Sequence, residues 1–195
     1  ELKAMPVYNY VGEICVEGIE TFEEILDSLK DKTILVLDKC WDCWDKVYAL
    51  LKEKDMVDQT IFKFYLKDEE PMVWAKAHKD CIFIPMCGDP DMFPKLLELR
   101  EHAGLPAVEI LPHAEDEPIF SDETFRWLEE HHIKVWCNSL SLARRLVYGA
   151  GYDDLKSLRY GGDKGWGVLI DKGVQILQTD WPHEVACYLK EKKMR

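Results

Sequence analysis

The sequence lacks several features that mark particular classes of protein. No apolar run approaches the roughly 20 residues that a membrane-spanning helix needs. Residues 1–6 contain no apolar signal segment, although a chain that does not begin with methionine says little about its native precursor. No low-complexity stretch or Gly/Ser linker divides the chain, so we expect a single domain over residues 1–195.

A net positive charge is also missing. The formal charge is −12 at pH 7, which argues against nucleic acid or an anionic membrane as the main partner. An anionic substrate would need a locally cationic or metal-containing pocket. Neither Gly-x-Gly-x-x-Gly nor Gly-x-x-x-x-Gly-Lys follows a strand-like segment, and this counts against an open sheet that binds nucleotides.

The composition that remains is that of an ordinary globular protein. Hydrophobic residues make up 47% of the 195 residues and charged residues 32%, which is enough to form a sizeable core. Seven cysteines, an odd number, are scattered through strand-like and helical segments. This pattern is typical of mostly free, buried thiols in a reducing compartment, and it favours the cytoplasm.

The chain is organised around residues 33–37, an apolar strand-like segment that ends at Asp38 and Lys39 and leads into a helical pattern. Similar units follow it along the chain. The predicted strands are 33–37, 60–66, 81–86, 107–111, 134–139 and 174–180. The predicted helices are 21–29, 42–54, 71–78, 91–102, 121–132, 142–148, 166–172 and 183–192, with irregular chain over 1–20 and a polar loop over 149–164.

Strands that alternate strictly with helices predict a parallel sheet with right-handed crossovers. Such a sheet is either open and doubly wound or part of a (β/α)8 barrel. Polar or amphipathic residues stand near the ends of several predicted strands: Asp38, Lys39, Lys63, Glu109, Trp136, Asn138 and Asp180. Groups that converge on one mouth favour the barrel. We therefore predict an α/β fold, a partial or atypical TIM-type (β/α) barrel with about six units.

Several motifs resemble the glycerophosphodiester phosphodiesterase family. That family often ends with a strand reading approximately I-x-T-D-x-P and a helix reading L-x-x-Y-L, which residues 179–182 and 188–189 match. Residues 19–26 resemble the family's P-T-L-E-E-V-L helix start, and residues 37–39 stand where it commonly has E-L-K or L-D-K. Further similar segments are 134–140, 151–158 and 165–174. The resemblance spans residues 17–192.

The resemblance implies a metal-dependent barrel of lipid metabolism that hydrolyses glycerophosphodiesters to glycerol 3-phosphate and an alcohol. A divalent cation, Ca or Mg, would be held by carboxylates. Hard cations take oxygen ligands and offset the charge that develops on a phosphodiester. A histidine would then protonate the leaving alkoxide.

The chain departs from the family in its N-terminal part. The His-Arg, Glu-x-Asp and His-Asp motifs of the family's first two β/α units do not occur in this sequence. The resemblance therefore covers the later six of eight units. Most of the metal shell and the acid/base histidines are missing, and we expect the 195-residue chain to be very weak or inactive as a hydrolase.

By the same resemblance, Asp38 is a metal ligand and Lys39 is the catalytic lysine that contacts a phosphate oxygen. The alternatives are structural: Asp38 would cap the next helix, and Lys39 would form a salt bridge at the rim. Trp136 and Asn138 share strand parity, and the family commonly places a tryptophan there against the glycerol moiety. Core packing is the alternative for Trp136.

Two further charges would point inward by strand parity if their apolar neighbours point outward. Lys63 lies between two phenylalanines, and Glu109 lies between Val108 and Ile110. Lys63 would contact substrate or reach outward at an edge, and Glu109 would hold a substrate hydroxyl or pair with Lys63. Two other residues have weaker assignments: we expect Asp180 to cap the last helix, and we interpret His113 as a loop histidine that is at most a weak substitute acid.

Two other classes of function stay open. Cys40 and Cys43 form a Cys-x-x-Cys pair between a strand and a helix, which resembles a thioredoxin-type redox site. Alternatively, the chain is a non-catalytic remnant that binds a phosphate ligand or a protein partner. Six units would leave two strand edges exposed, and a homo-oligomer would cover them.

Overall fold

The computed structural model describes residues 2–15, 18–142 and 147–193. In these ranges there are seven short strands and eight α-helices, and they alternate along the chain apart from two consecutive strands and two consecutive helices. The strands are β1 (Leu35–Leu37), β2 (Thr60–Phe62), β3 (Ile82–Phe83), β4 (Met86–Cys87), β5 (Ala107–Ile110), β6 (Lys134–Asn138) and β7 (Ile176–Gln178). The helices are α1 (Phe22–Leu29), α2 (Trp44–Lys54), α3 (Glu69–Ala77), α4 (Pro94–Arg100), α5 (Asp122–Glu130), α6 (Asp154–Tyr160), α7 (Trp166–Lys172) and α8 (Pro182–Glu191). None of the described helices has the length and apolar character that crossing a membrane requires.

The strands form one curved, parallel arc in sequential order. β1, β2 and β3 pair in that order, as do β4, β5, β6 and β7, and every pair is parallel. β3 and β4 belong to one predicted strand that breaks before Pro85, a residue with no N–H for the ladder. The ladder continues across the break, because the N–H groups of Ile84 and Met86 donate to the carbonyls of Phe62 and Phe64 at 3.0 and 2.7 Å.

The order of the strands distinguishes a doubly wound sheet from a barrel-like sheet. A doubly wound sheet reverses its strand order at a switch point, whereas each strand here neighbours the next one along the chain. The predicted α/β fold of parallel strands and helices is confirmed. Within the described residues β1 and β7 are the two edges, so the arc is open there.

The two faces of the arc bury different side chains. The convex face packs against the helices and carries the larger core, in which the Trp44 ring contacts those of Phe62, Phe64 and Phe83. The concave face carries a small apolar cluster: Ile61, Ile84, Ala107, Trp136 and Ile176. This division follows the two-residue period of the strands.

Several predicted details are correct and others are wrong. Thr21 and Glu24 form the predicted capping box, with the Glu24 N–H donating to Thr21 Oγ1 at 3.3 Å and the Thr21 N–H to Glu24 Oε2 at 2.7 Å. The predicted loop 149–164 instead contains α6, and the predicted helix 142–148 lies largely outside the described residues. Asp180 does not cap α8, whose N-cap is Trp181.

Candidate functional site

A buried ion pair lies on the concave face. Lys63 follows β2, Glu109 lies in β5, and the ammonium of Lys63 contacts Oε2 of Glu109. Only 3% of the Lys63 side chain and 2% of the Glu109 side chain is exposed. Either charge alone would be very costly at this depth, and the pairing offsets that cost. Both side chains point inward, as strand parity predicted, and the pairing of Glu109 with Lys63 is the alternative named from the sequence.

Three further polar side chains surround the pair. Trp136 is the register partner of Glu109 on β6, and Asn138 is the partner of Gln178 on β7. Gln178 Oε1 lies 3.5 Å from the Lys63 ammonium. The arc is therefore curved enough to bring Lys63, just after β2, close to β7. We call these five residues the inner-face cluster.

Asn138 and Trp136 have defined roles within this cluster. The Asn138 Oδ1 accepts a 2.8 Å hydrogen bond from the Leu140 N–H, and the Asn138 side chain acts to lower the pKa of Glu109. The Lys63 ammonium lies 4.9 Å from the centroid of the Trp136 ring, a cation–π contact. The buried Trp136 Nε1–H has no hydrogen-bond acceptor among the described residues.

The electrostatics of the cluster depend on Lys63. Burial raises the pKa of Glu109, and the negative charge of Asp38 raises it further. The Lys63 ammonium and the Asn138 amide act in the opposite direction because they stabilise the carboxylate. The cluster therefore holds one cation against one anion and is close to neutral overall.

Asp38 and Lys39 lie at the end of β1 and are both exposed. Asp38 is not a helix cap, because the N-cap of α2 is Cys43. Lys39 has a left-handed backbone conformation with φ of 56°, which is uncommon for a residue with a side chain. Such conformations are concentrated at turns and at functional sites.

A cleft of about 750 Å³ opens at the carboxyl ends of β4 and β5, and we call it the mouth cleft. Its lining includes Met86, the register partner of Glu109, and Leu111, two residues beyond Glu109, so it adjoins the inner-face cluster. Other lining side chains are Tyr65, Lys67, His113, Glu117 and Tyr148.

His113 is oriented within the mouth cleft by the backbone. Its Nδ1 lies 2.6 Å from the carbonyl oxygen of Val147, and its own N–H donates to Glu117 Oε2 at 2.8 Å. Because a carbonyl oxygen only accepts, Nδ1 carries the proton of the neutral ring, which leaves a lone pair on Nε2. His113 is exposed and can exchange protons with a bound molecule or with water.

The residues present do not fit a Ca or Mg ion. Such ions take about six or more oxygen ligands. In residues 2–15, 18–142 and 147–193, no three His, Cys, Asp or Glu side chains are grouped to hold a metal. Glu109 is already paired with Lys63, and the Asn138 oxygen is occupied by the Leu140 N–H. The predicted ligand Asp38 therefore lacks companions in the described chain.

The surroundings of Cys40, the first thiol of the Cys-x-x-Cys pair, do not favour a thiolate. A reactive thiol in such a pair has a lowered pKa. Burial instead raises the pKa of Cys40, which is half-buried, while Cys43 is exposed. The sequence predicted mostly free, buried thiols; all seven cysteines are free in the structure, and three of them, Cys81, Cys87 and Cys137, are buried.

Sequence reasoning missed several residues of the site. Gln178 shares strand parity with Ile176, and this signal could have placed it on the concave face. Tyr65 and Lys67 both follow β2: Tyr65 belongs to the predicted strand 60–66, and Lys67 lies between that strand and the predicted helix 71–78. Asp154, at the start of α6, lay in the predicted loop, and no local pattern indicated that it is fully buried.

The fold and site define an α/β protein whose parallel strands follow in sequence and present polar groups at their carboxyl ends. Residues 85–189, more than half of the chain, match the DUF4996 family, which is described as a domain of unknown function. The chain belongs to this family.

Comparison with solved structures gives a likeness over nearly the whole chain. A glycerophosphoryl diester phosphodiesterase from Parabacteroides distasonis ATCC 8503 superposes with a TM-score of 0.74 at 17% identity. The match covers 98% of this chain and 62% of that protein, so this chain spans less than two thirds of it. At this identity the likeness shows the fold alone. A search of curated proteins found no match.

Proposed function

We propose that this chain is a phosphodiesterase-like protein that binds a glycerophosphodiester, or the phosphate-bearing part of one, at the carboxyl ends of its strands. We propose further that it hydrolyses such esters very slowly or not at all. The observation that carries the proposal is the convergence of Lys63, Glu109, Trp136 and Asn138 on the concave face, beside a cleft of about 750 Å³. A cleft with a few convergent polar groups is typical of a small-molecule site.

The charges indicate how a phosphate would be held. Lys63 is committed to Glu109, so the phosphate needs cations nearer the mouth. Lys39 and Lys67 are both exposed, and Lys67 lines the mouth cleft. We propose that these two ammonium groups contact phosphate oxygens, while Trp136 and Asn138 form the floor beneath the glycerol moiety.

Slow hydrolysis follows from the missing catalytic groups. Asp38 is the single carboxylate left at the predicted metal position, and the described residues do not complete a divalent site. We therefore propose that the Ca or Mg site of the family has been lost from this chain. His113 is the candidate acid in the mouth cleft, and without a cation to offset developing charge it would give little rate enhancement.

Calorimetric titration with sn-glycerol 3-phosphate in the presence of EDTA tests the binding. We expect saturable binding that weakens about tenfold or more in the Lys39→Ala/Lys67→Ala variant, because two charge-assisted contacts are removed. The matched control is Lys79→Ala, an exposed lysine that does not line the mouth cleft. Equal affinities in all three proteins, or no saturable binding, would overturn the proposed site.

A separate assay tests the chemistry. Glycerophosphocholine is incubated with the chain, and released glycerol 3-phosphate is measured with and without added Ca²⁺. We expect no turnover above background. Robust turnover that is abolished by a chelator and by Asp38→Ala would contradict the proposed inactivity and restore Asp38 as a metal ligand.

A further inference from the structure

The surroundings of the Lys63 ammonium are those of a bound cation. It contacts the Glu109 carboxylate, lies 3.5 Å from the Gln178 carboxamide oxygen and lies 4.9 Å from the centre of the Trp136 ring. A carboxylate, a carbonyl-type oxygen and an aromatic face are three groups that attract positive charge. The ammonium therefore fills a cation position that is built from three strands.

The buried Glu109 carboxylate requires a positively charged partner. It is 2% exposed, and burial disfavours its charged form. A buried carboxylate is stabilised by a proton, a metal ion or a positively charged side chain. Lys63 supplies the last of these from the strand region that faces Glu109 across the concave side.

A divalent ion at Glu109 would compete with this ammonium. Both would occupy the same side of one carboxylate, and two adjacent cations in a buried site repel strongly. The remaining oxygen donors nearby are few, since Asn138 Oδ1 accepts from the Leu140 N–H. The negative charge of Asp38 acts to raise the pKa of Glu109.

We infer that the Lys63 ammonium takes the place of a divalent cation on the concave face. The chain carries its own cation there, excludes Ca²⁺ and Mg²⁺ from Glu109, and binds its ligand without them. The inference refines the site of the proposed function, but its test measures metal binding and requires no substrate.

The test compares Ca²⁺ and Tb³⁺ binding by the native chain and by Lys63→Met. Terbium luminescence excited through tryptophan reports ions close to any of the seven tryptophans, of which Trp136 is one, so the signal that differs between Lys63→Met and the double variant described below is the one assigned to Glu109. A Ca²⁺-dependent rise in the unfolding temperature reports binding to the folded state. We expect Lys63→Met to bind Ca²⁺ about tenfold or more tightly than the native chain, because the freed carboxylate then lacks a counter-ion.

The double variant Lys63→Met/Glu109→Gln is the matched control. It removes both charges and keeps similar volumes, so it retains only the adventitious binding of surface carboxylates, which all three proteins share. We expect its Ca²⁺ affinity to equal that of the native chain. The failure of ester binding in the calorimetric test would leave these expectations unchanged, so the two proposals fail separately.

Two results would overturn the inference. One is tighter Ca²⁺ binding by the native chain than by the double variant, because Glu109 would then bind metal beside Lys63. The other is a folded Lys63→Met with native affinity for Ca²⁺. If Lys63→Met folds only with Ca²⁺ present, the inference is supported. If it folds in neither condition, Lys63→Gln, which keeps a hydrogen-bond donor for Glu109, takes its place in the same comparison.

Discussion

Asp154 and Trp166 form a buried hydrogen bond in which the indole Nε1–H donates to Asp154 Oδ1 at 2.7 Å. The same carboxylate accepts from Ser139 Oγ at 2.7 Å, from Thr179 Oγ1 at 2.8 Å and from the Asp180 N–H at 3.0 Å. Asp154 is fully buried. One carboxylate thus joins the ends of β6 and β7 to α6 and α7, and it fixes the segments that follow Asn138 and Gln178.

Removing this carboxylate should destabilise the chain strongly. Asp154→Ala leaves several buried donors without an acceptor, and we expect a loss of about 3 kcal/mol or more in the free energy of unfolding. Asp154→Asn keeps the shape and one accepting oxygen, so its loss should be smaller. Urea denaturation measures both, with Asp116→Asn in an exposed loop as the control. A loss for Asp154→Ala no larger than that of the control would show that the network contributes little.

The order of strands and helices could be predicted because each unit carries a local signal. An apolar strand followed by an amphipathic helix is visible in the sequence, and parity alone directed Lys63 and Glu109 to the concave face. The break at Pro85 and the helix α6 were not foreseen. The break depends on how proline is accommodated in a parallel ladder, and α6 is stabilised by the tertiary network of Asp154 rather than by a long apolar stripe.

The candidate site was only partly predictable for the same reason. Strand parity indicates which side a residue faces, but it does not give the curvature that brings Gln178 within 3.5 Å of Lys63. Whether Glu109 contacts a substrate or pairs with Lys63 depends on distances of this size across the concave face, and strand parity does not give them. Tyr65 and His113 line the mouth cleft, and both lie in irregular segments. The course of such segments is hard to predict because their sequences carry little periodic signal.

Cysteine alkylation should separate two groups of thiols. Burial raises the pKa of Cys81 and Cys137 to about 12 and that of Cys87 to about 11, so these thiols are protonated and covered at neutral pH. We expect iodoacetamide at pH 7.5 to modify the exposed Cys43 and Cys187 first, and the buried three only in denaturant. Mass spectrometry of digested samples measures the order.

The same experiment decides the redox alternative. Because the pKa of Cys40 is raised, Cys40 should react more slowly than Cys43, and replacing Cys43 by serine should not accelerate it. A Cys40 that reacts faster than Cys43 at pH 6 would require a lowered pKa. That result would support a redox function for the Cys-x-x-Cys pair.

The capping box of α1 should make stability depend on pH in the acid range. Hydrogen bonds from Lys3 and from Thr21 lower the pKa of Glu24 to about 2, from 4.5. The folded pKa lies below the unfolded one, so the stabilisation is fully present above about pH 4.5 and is lost as pH falls towards 2. We expect Glu24→Gln to flatten the dependence of the urea midpoint on pH in this window.

Glu123→Gln is the matched control for that measurement, since Glu123 is exposed in the first turn of α5. Its acid-range slope should equal that of the native chain. A Glu24→Gln slope that also equals the native slope would mean that the carboxylate titrates alike in the folded and unfolded states. An NMR titration of the Glu24 side chain would then give a midpoint near 4.5 rather than near 2.

Gly167 packs against Tyr188 more closely than any side chain allows. A Cβ atom at Gly167 would overlap the Tyr188 hydroxyl oxygen. That hydroxyl donates to Asp163 Oδ1 at 2.9 Å, so moving it to make room for a Cβ would disturb this hydrogen bond. The contact joins the glycine-rich segment before and within α7 to the tyrosine of α8.

Gly167→Ala should therefore destabilise the chain, although alanine has a higher helix propensity than glycine. We expect a net loss of about 1–3 kcal/mol in the free energy of unfolding, because the tyrosine must move and break its bond to Asp163. Adding Tyr188→Phe removes the clashing oxygen and should restore part of the loss. Gly88→Ala, where a Cβ meets nothing within 4 Å, is the control and should be near neutral. If Gly167→Ala were as stable as Gly88→Ala, or if Tyr188→Phe gave no recovery, the packing of α7 on α8 would be looser than this contact indicates.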